Sequence, residues 1–80
     1  MTEDSFEVVV WNAAPGDLVA FVISDESKKY RTRVVRPAVG YAFLLNGSWA
    51  VPVPSLYQEK GVSWISQSLI LSVRRIREST

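Results

Sequence analysis

The chain has 80 residues and a formal net charge of +1, and 48% of its residues are hydrophobic. A chain of this length forms one domain with a modest core, which hides only about 60% of the surface that the unfolded chain exposes. The nearly balanced charge gives no general attraction to nucleic acid or to anionic membranes. We therefore expect a single domain over residues 1–80, with residues 1–5 as a flexible tail, and any charge-based function must rest on a local cluster.

Cysteine and histidine are both absent. Without cysteine there is no disulfide or thiolate zinc site, and a short domain that folds without disulfides is typical of intracellular proteins. Without histidine the commonest general base and the histidine-containing triads are excluded. The acidic start of the chain does not resemble a signal peptide, and no apolar run reaches the length of a membrane span. We expect a cytoplasmic protein with no cofactor, no metal and no membrane partner.

The first two predicted strands flank a turn. Residues 6–11, Phe-Glu-Val-Val-Val-Trp, are rich in β-branched and aromatic residues and predict a strand. Residues 12–17 contain Pro15 and Gly16, which favour a turn. Residues 18–23 are continuously apolar, which indicates either a strand buried on both faces or a short core segment.

The third predicted strand begins at Tyr30. A mostly apolar row, Tyr30, Thr32 and Val34, alternates with a row that carries two arginines. This alternation predicts a strand with one exposed face. Residues 36–40, Arg-Pro-Ala-Val-Gly, should end it, because proline lacks a backbone donor and glycine permits a reversal.

Asn46-Gly47 lies between two apolar runs and is the preferred loop of a type I′ hairpin. Both faces of this hairpin are apolar, so it must be either enclosed in the domain or half covered by a partner. Pro52 and Pro54 predict that the second arm lies at an edge or leaves the sheet there. Alternation places Ala42, Leu44, Trp49, Val51 and Val53 on one face, and Tyr41, Phe43, Leu45 and Ala50 on the other.

The C-terminal part of the chain allows two interpretations. Residues 55–63 are loop-like, with Leu56 and Tyr57 placed to cover the core. From Trp64 onward, a strand would turn Leu69, Leu71 and Val73 inward. A helix would instead align Ile65, Leu69, Val73 and Ile76 in one stripe. We favour a strand over residues 68–75 and predict a mostly β fold, either a single small antiparallel sheet or a partly open barrel of five or six strands, with a short C-terminal helix as the alternative.

Catalytic chemistry has little support. With no histidine, a serine nucleophile would need a lysine base, but Lys28, Lys29 and Lys60 lie in polar loop segments where nothing would lower their pKa. The neighbouring acids Glu3 and Asp4, and likewise Asp25 and Glu26, are typical of solvated surface. Neither phosphate-binding glycine motif is present. We expect no catalytic residue and no enzyme activity.

Arginines are the more informative charges. Strands that bring them side by side would form a basic stripe near exposed aromatic rings, which is the combination that binds single-stranded nucleic acid. An SH3-like or OB-like β-barrel that binds nucleic acid is therefore the alternative function. The candidate residues are Arg31, Arg33, Arg36, Arg74, Arg75 and Arg77.

Four segments in fixed order resemble the C-terminal part of the LexA/UmuD-type self-cleaving serine peptidase domain. These are Gly16-Asp17 with the apolar residues 18–21, Thr32-Arg33-Val34, Leu44-Leu45-Asn46, and residues 69–74. In that family the nucleophilic serine lies upstream of this region, and the general-base lysine position falls here on Thr32 or Arg33. Neither residue is a base at working pH. The resemblance thus implies a family member without self-cleavage.

The resemblance also implies an interaction. Relatives pair as dimers through the final strand, which here would be residues 68–75. Apolar residues on both faces of that strand would suit an open edge that pairs with another chain. We therefore expect a homodimer, or a complex with a LexA-like regulator, in a bacterial, phage or plasmid regulatory protein. The candidate edge residues are Leu69, Ile70, Leu71 and Val73.

Overall fold

The computed structural model describes residues 3–25, 30–56 and 58–78, which form two small antiparallel sheets that do not close into a barrel. One sheet has the strand order β1-β7-β2-β3, and the other has the order β4-β5-β6. The mostly β fold class is confirmed. The strands are β1 (Glu3–Val8), β2 (Leu18–Asp25), β3 (Tyr30–Pro37), β4 (Phe43–Leu45), β5 (Ser48–Pro54), β6 (Val62–Ser66) and β7 (Ile70–Glu78), with short 3₁₀ turns at Val10–Asn12 and Gln67–Leu69.

The core lies where the inner faces of the two sheets meet. Side chains on a strand alternate between its two faces, so every second residue of β2 and β5 enters this space. Small and β-branched residues dominate the core, with Phe21 as its largest fully buried side chain. The buried cluster comprises Ala13, Val19, Phe21, Ala38, Val51, Val53, Ile65 and Val73.

The predicted Asn46-Gly47 hairpin is confirmed. Both loop residues have positive φ, 52° at Asn46 and 83° at Gly47, as a type I′ turn requires. The register pairs Leu45 with Ser48 and continues along β4 and β5. β5 is the middle strand of its sheet, so the predicted edge position is wrong for the strand as a whole. Beyond Ala50, however, β5 no longer pairs with β4, and the two prolines lie in that stretch.

The last segment is a strand, as favoured, and the helical alternative is wrong. Its alternation differs from the prediction, because Ala20 pairs with Ser72 whereas Phe21 pairs with Ile70. Leu71 is thus the extra residue of a β-bulge, so Ile70 and Val73 both face the core although they are three positions apart. Leu69 and Leu71 are exposed, whereas Ile70 packs against the core.

Two boundary predictions near the N-terminus are also wrong. Residues 3–5 of the predicted tail belong to β1 and pair with residues 76–78 of β7, whereas residues 1–2 lie outside the described residues. The strand ends at Val8, and Trp11 lies in the first 3₁₀ turn. A run of β-branched residues cannot by itself show where a strand loses its partner.

The predicted open edge at residues 68–75 is wrong as well. β7 lies inside its sheet, where β1 pairs with residues 73–78 and β2 pairs with residues 70–74. Val73 is 1% exposed and belongs to the core. The edges of this sheet are β1 and β3.

An ion pair between the buried carboxylate of Asp17 and the partly exposed guanidinium of Arg75 joins the turn before β2 to β7. The side chain of Asp17 is only 5% exposed, and its carboxylate accepts two hydrogen bonds from Arg75, Nε to Oδ1 at 3.1 Å and Nη2 to Oδ2 at 3.0 Å. The backbone amide of Ala14 donates to Oδ2 at 2.9 Å. Arg75 also donates to the carbonyl oxygen of Asn12 at 3.0 Å and lies over the ring of Phe6.

Hydrogen bonding to Asp17 raises the pKa of the Arg75 guanidinium above its ordinary value, against the opposing effect of burial, and the charge of Asp17 adds to the rise. Arg75 was a candidate nucleic-acid contact in the sequence. Its guanidinium is instead committed to holding the turn of residues 12–17 against β7.

Asp17→Ala should destabilise the domain, because it leaves the Ala14 amide and the Arg75 guanidinium without their acceptor. The expected loss is about 1–3 kcal/mol in the free energy of unfolding, which lowers Tm by roughly 5–20 °C for a domain of this size. Thermal unfolding followed by circular dichroism measures it. Glu7→Ala is the matched control, because Glu7 lies 3.8 Å from Arg74 in an exposed pair, and such pairs contribute little. Equal shifts for the two variants would show that the buried pair is not special.

Candidate interaction surface

The outer face of β4-β5-β6 is apolar. Directly paired residues of neighbouring strands share a face, so the pairing of Pro52 with Trp64 and of Pro54 with Val62 places all four side chains outside. Phe43 pairs with Ala50 and joins the same face. We define the Trp64 surface as Phe43, Leu45, Pro52, Pro54, Val62 and Trp64.

Trp64 is the centre of this surface. Its ring meets the ring of Phe43 edge to face, with centroids 6.2 Å apart and planes at 86°. The contact holds the indole against the sheet while 62% of the residue stays exposed. The remaining outward residues of the three strands, Ser48, Ala50 and Ser66, are uncharged. The solvent face of an antiparallel sheet is normally polar, whereas this face carries no charge among its described residues.

Local sequence explains the shape of this face. The Pro52 carbonyl oxygen accepts the Val39 amide at 2.9 Å, so the segment before β4 lies alongside β5. A Cβ on Gly40 would lie 3.1 Å from Cγ of Pro52, which is closer than an ordinary contact. Glycine at position 40 therefore allows the chain to pass close to the proline ring.

An open groove of about 400 Å³ runs beside the Trp64 surface at the free side of β6. Val62 and Trp64 belong to both features. Ile23 at the end of β2 and Leu69 in the second 3₁₀ turn form the opposite wall. The full lining is Ile23, Ser24, Leu56, Val62, Ser63, Trp64, Ile65 and Leu69.

A second groove of about 310 Å³ lies between the first 3₁₀ turn and the start of β7. Its exposed apolar residues are Val9, Trp11 and Leu71, and Glu7 contributes a charge. Three of the predicted edge residues, Ile70, Leu71 and Val73, line this groove, whereas Leu69 lines the groove beside Trp64. The structure therefore divides the predicted edge cluster between two surfaces and buries Val73.

The arginines are only partly brought together. The register places Arg31, Arg33 and Arg74 on the outer face of β1-β7-β2-β3. Arg36 is on the other face, where its side chain donates to the carbonyl oxygen of Val35. Arg75 is bound to Asp17, and the side chain of Arg77 lies outside the described residues.

The residues considered for catalysis do not converge in the described part of the chain. Residues 26–29, and with them Lys28 and Lys29, lie outside it, and so does Tyr57. Lys60 is exposed in the loop before β6, and Thr32 and Arg33 are exposed on β3. Within residues 3–25, 30–56 and 58–78 no three His, Cys, Asp or Glu side chains are grouped as a metal site would require. No helix among the same residues is long and apolar enough to cross a membrane.

Comparison with protein-family models, with curated proteins and with solved structures gave no match for this chain. The resemblance to the LexA/UmuD-type domain therefore stays a prediction.

Two of the three strands that form the Trp64 surface, β4 and β5, are predicted from the sequence as a hairpin, whereas β6 is not. The alternation of the hairpin correctly separated Phe43 and Leu45 from the core row. β6 (Val62–Ser66) is divided in the sequence prediction, because Val62 and Ser63 fall in the predicted loop of residues 55–63 and Trp64 begins the predicted last segment. The signal was present in Val62 and Trp64, which alternate with Ser63 and Ile65 directly after Gly61, a residue with φ of 122°.

Removing the exposed indole should leave the fold intact. Trp64→Ser loses the edge-to-face contact with Phe43, and we expect the free energy of unfolding to fall by about 1 kcal/mol. Phe21→Ala, in the core, should lose about 3–5 kcal/mol. Urea unfolding of both variants measures the difference. A loss at Trp64 as large as that at Phe21 would mean that Trp64 serves the fold and not the surface.

Proposed function

We propose that this chain is a non-catalytic protein-interaction module whose binding site is the Trp64 surface. The observation that carries the proposal is that every outward side chain of β4-β5-β6 among the described residues is uncharged, and most are apolar. The opposite face of the same sheet already forms the core, so this side is available to a partner. The prediction from the sequence that a partner covers one face of the hairpin rests on the same apolar residues.

The residue types also favour a protein partner. Tryptophan is enriched among the residues that dominate protein interfaces, because it buries a large rigid area at a small entropic cost. Pro52 and Pro54 add rigid apolar rings to this surface on β5, the strand next to β6. An extended or apolar segment of another protein is the ligand that such a surface fits.

The proposed setting is a cytoplasmic regulatory protein of bacterial, phage or plasmid origin, and it rests on the LexA/UmuD resemblance alone. A LexA-like regulator is one partner that this setting implies. Lack of self-cleavage belongs to the same proposal, because the position of the family's general-base lysine falls on Thr32 or Arg33, and neither is a base at working pH.

A displayed library of random peptides tests the proposal without knowledge of the partner. Wild-type protein should enrich apolar peptides that bind roughly 30-fold more weakly to Trp64→Ser, since truncating a tryptophan hot spot costs about 2 kcal/mol or more.

Trp11→Ser is the matched control, because Trp11 is 59% exposed and lies in a different groove. Its peptide affinities should equal those of the wild type. Peptides that are insensitive to Trp64, or no enrichment at all, would contradict the proposal.

A second candidate function is binding of nucleic acid by the outer face of β1-β7-β2-β3. The observation that favours it is the common orientation of Arg31, Arg33 and Arg74 on that face. No aromatic side chain among the described residues of this face accompanies them. Binding would thus depend on phosphate contacts, which are independent of sequence and sensitive to salt.

This candidate predicts that a labelled single-stranded oligonucleotide is retarded on a gel at low salt and released as salt rises. Each arginine replaced by alanine should lower the slope of log affinity against log salt by roughly one. Arg36→Ala is the control, because Arg36 lies on the other face of β3. Absence of retardation at low salt would rule out this function.

A further inference from the structure

The four sheet edges differ in how they are protected against pairing. β1 carries acidic residues, and β3 carries three arginines and ends in Pro37. Charged residues and proline are the usual devices that keep an edge strand single. β4 is also uncharged but has only three residues. β6, with the sequence Val-Ser-Trp-Ile-Ser, has neither a charge nor a proline.

The backbone groups that β6 presents at its free side follow from its partner strand. Pro52 pairs with Trp64, but its carbonyl oxygen is bonded to Val39 and so points away from β6. In an antiparallel ladder the N–H and C=O of one residue point the same way. The pair is therefore the non-hydrogen-bonded type, and the backbone groups of Trp64 point to the free edge.

The same alternation gives the direction of the backbone groups in the other residues of β6. Val62 and Ser66 lie two residues from Trp64, so their backbone groups also point outward, whereas Ser63 and Ile65 bond to β5. The outward set at positions 62, 64 and 66 is symmetric about Trp64. Such a set is complementary to itself when a second strand runs antiparallel across a two-fold axis.

We propose that the free edge of β6 pairs with β6 of a second copy of this chain, in an antiparallel ladder centred on Trp64. In this arrangement Trp64 exchanges backbone hydrogen bonds with its own counterpart, and Val62 lies opposite Ser66. The two sheets join in the order β4-β5-β6-β6-β5-β4, and the two indoles lie side by side on one continuous apolar face. The inference deepens the proposed function and rests on it, because Trp64 belongs both to the surface and to the edge.

The charge and the surroundings of this edge agree with a second copy. The groove beside β6 offers the incoming strand an apolar wall at Ile23 and Leu69, and β6 brings no like charges together.

Light scattering with sedimentation over a dilution series tests the association. The wild type should be a dimer that dissociates on dilution, and Trp64→Lys should abolish the dimer because a lysine on an edge strand opposes pairing. Trp11→Lys introduces the same charge at a tryptophan of similar exposure and should remain dimeric. A wild type that stays monomeric, or equal loss of the dimer in both variants, would overturn the proposal.

Disulfide trapping tests the register, because the natural chain has no cysteine. Opposed residues of a hydrogen-bonded pair have Cα atoms about 5.5 Å apart, within the range that a disulfide spans. A mixture of Val62→Cys and Ser66→Cys should therefore form the mixed disulfide. Val62→Cys alone should not cross-link, since the two copies of residue 62 would lie roughly 13 Å apart. Cross-linking of Val62→Cys with itself, or none in the mixture, would overturn the register.

The outcomes separate this inference from the proposed function. A monomeric wild type that still enriches Trp64-dependent peptides would remove the second copy and leave the interaction module. A dimer with the expected cross-links but no enriched peptide would confirm the second copy and remove other protein ligands of the Trp64 surface.

Discussion

The ion pair between Asp17 and Arg75 is the constraint on which the arrangement of the two sheets depends. It joins residues that are 58 positions apart and fixes the turn of residues 12–17 against β7. Backbone hydrogen bonds join this turn to the segment that follows β3. The carbonyl oxygen of Asp17 accepts the Ala38 amide at 2.8 Å, and the Gly16 amide donates to the Ala38 carbonyl oxygen at 2.9 Å. The next residue, Val39, donates to Pro52 in β5. Asp17 thus connects the two sheets, because its carboxylate binds Arg75 of β7 and its backbone carbonyl oxygen binds Ala38, next to the residue that bonds to β5.

This connection explains why a domain with so small a core can hold two sheets together. Its buried residues are mostly valine and alanine, and a chain of this size hides a limited fraction of its surface. A buried carboxylate without partners would be costly, but Asp17 has the Ala14 amide and two guanidinium bonds. No buried polar side-chain atom of the described residues lacks a hydrogen-bond partner. Hydrogen bonds with a fixed geometry therefore define how the two sheets lie against each other, which the burial of apolar side chains alone would define less closely.

The parts of the fold that depend on local pattern could be predicted from the sequence. Asn46-Gly47 gave the hairpin because two consecutive residues with positive φ have few alternatives. The alternation around Val34 gave the exposed face of β3 for the same kind of local reason. Long-range features could not be read in this way. Whether β7 lies inside a sheet depends on β1, which contacts it from the other end of the chain. The bulge at Leu71 turns Ile70 toward the core and leaves Leu71 exposed, the reverse of the expected faces.

The Trp64 surface could be predicted only in part, because the local pattern defines the two faces of the hairpin but not which face is buried. Alternation correctly divided the hairpin into two apolar faces, but which face the core would take depends on where β2 and β7 lie. The prolines of β5 link the surface to the edge beside it. Both prolines project outward next to Trp64. The Pro52 carbonyl oxygen accepts the Val39 amide on the side of β5 away from β6, which gives the phase of the β5–β6 ladder. That phase directs the backbone groups of Trp64 away from β5. Pro52 therefore belongs both to the apolar face, through its ring, and to the strand pairing that leaves the backbone groups of Trp64 at the free edge.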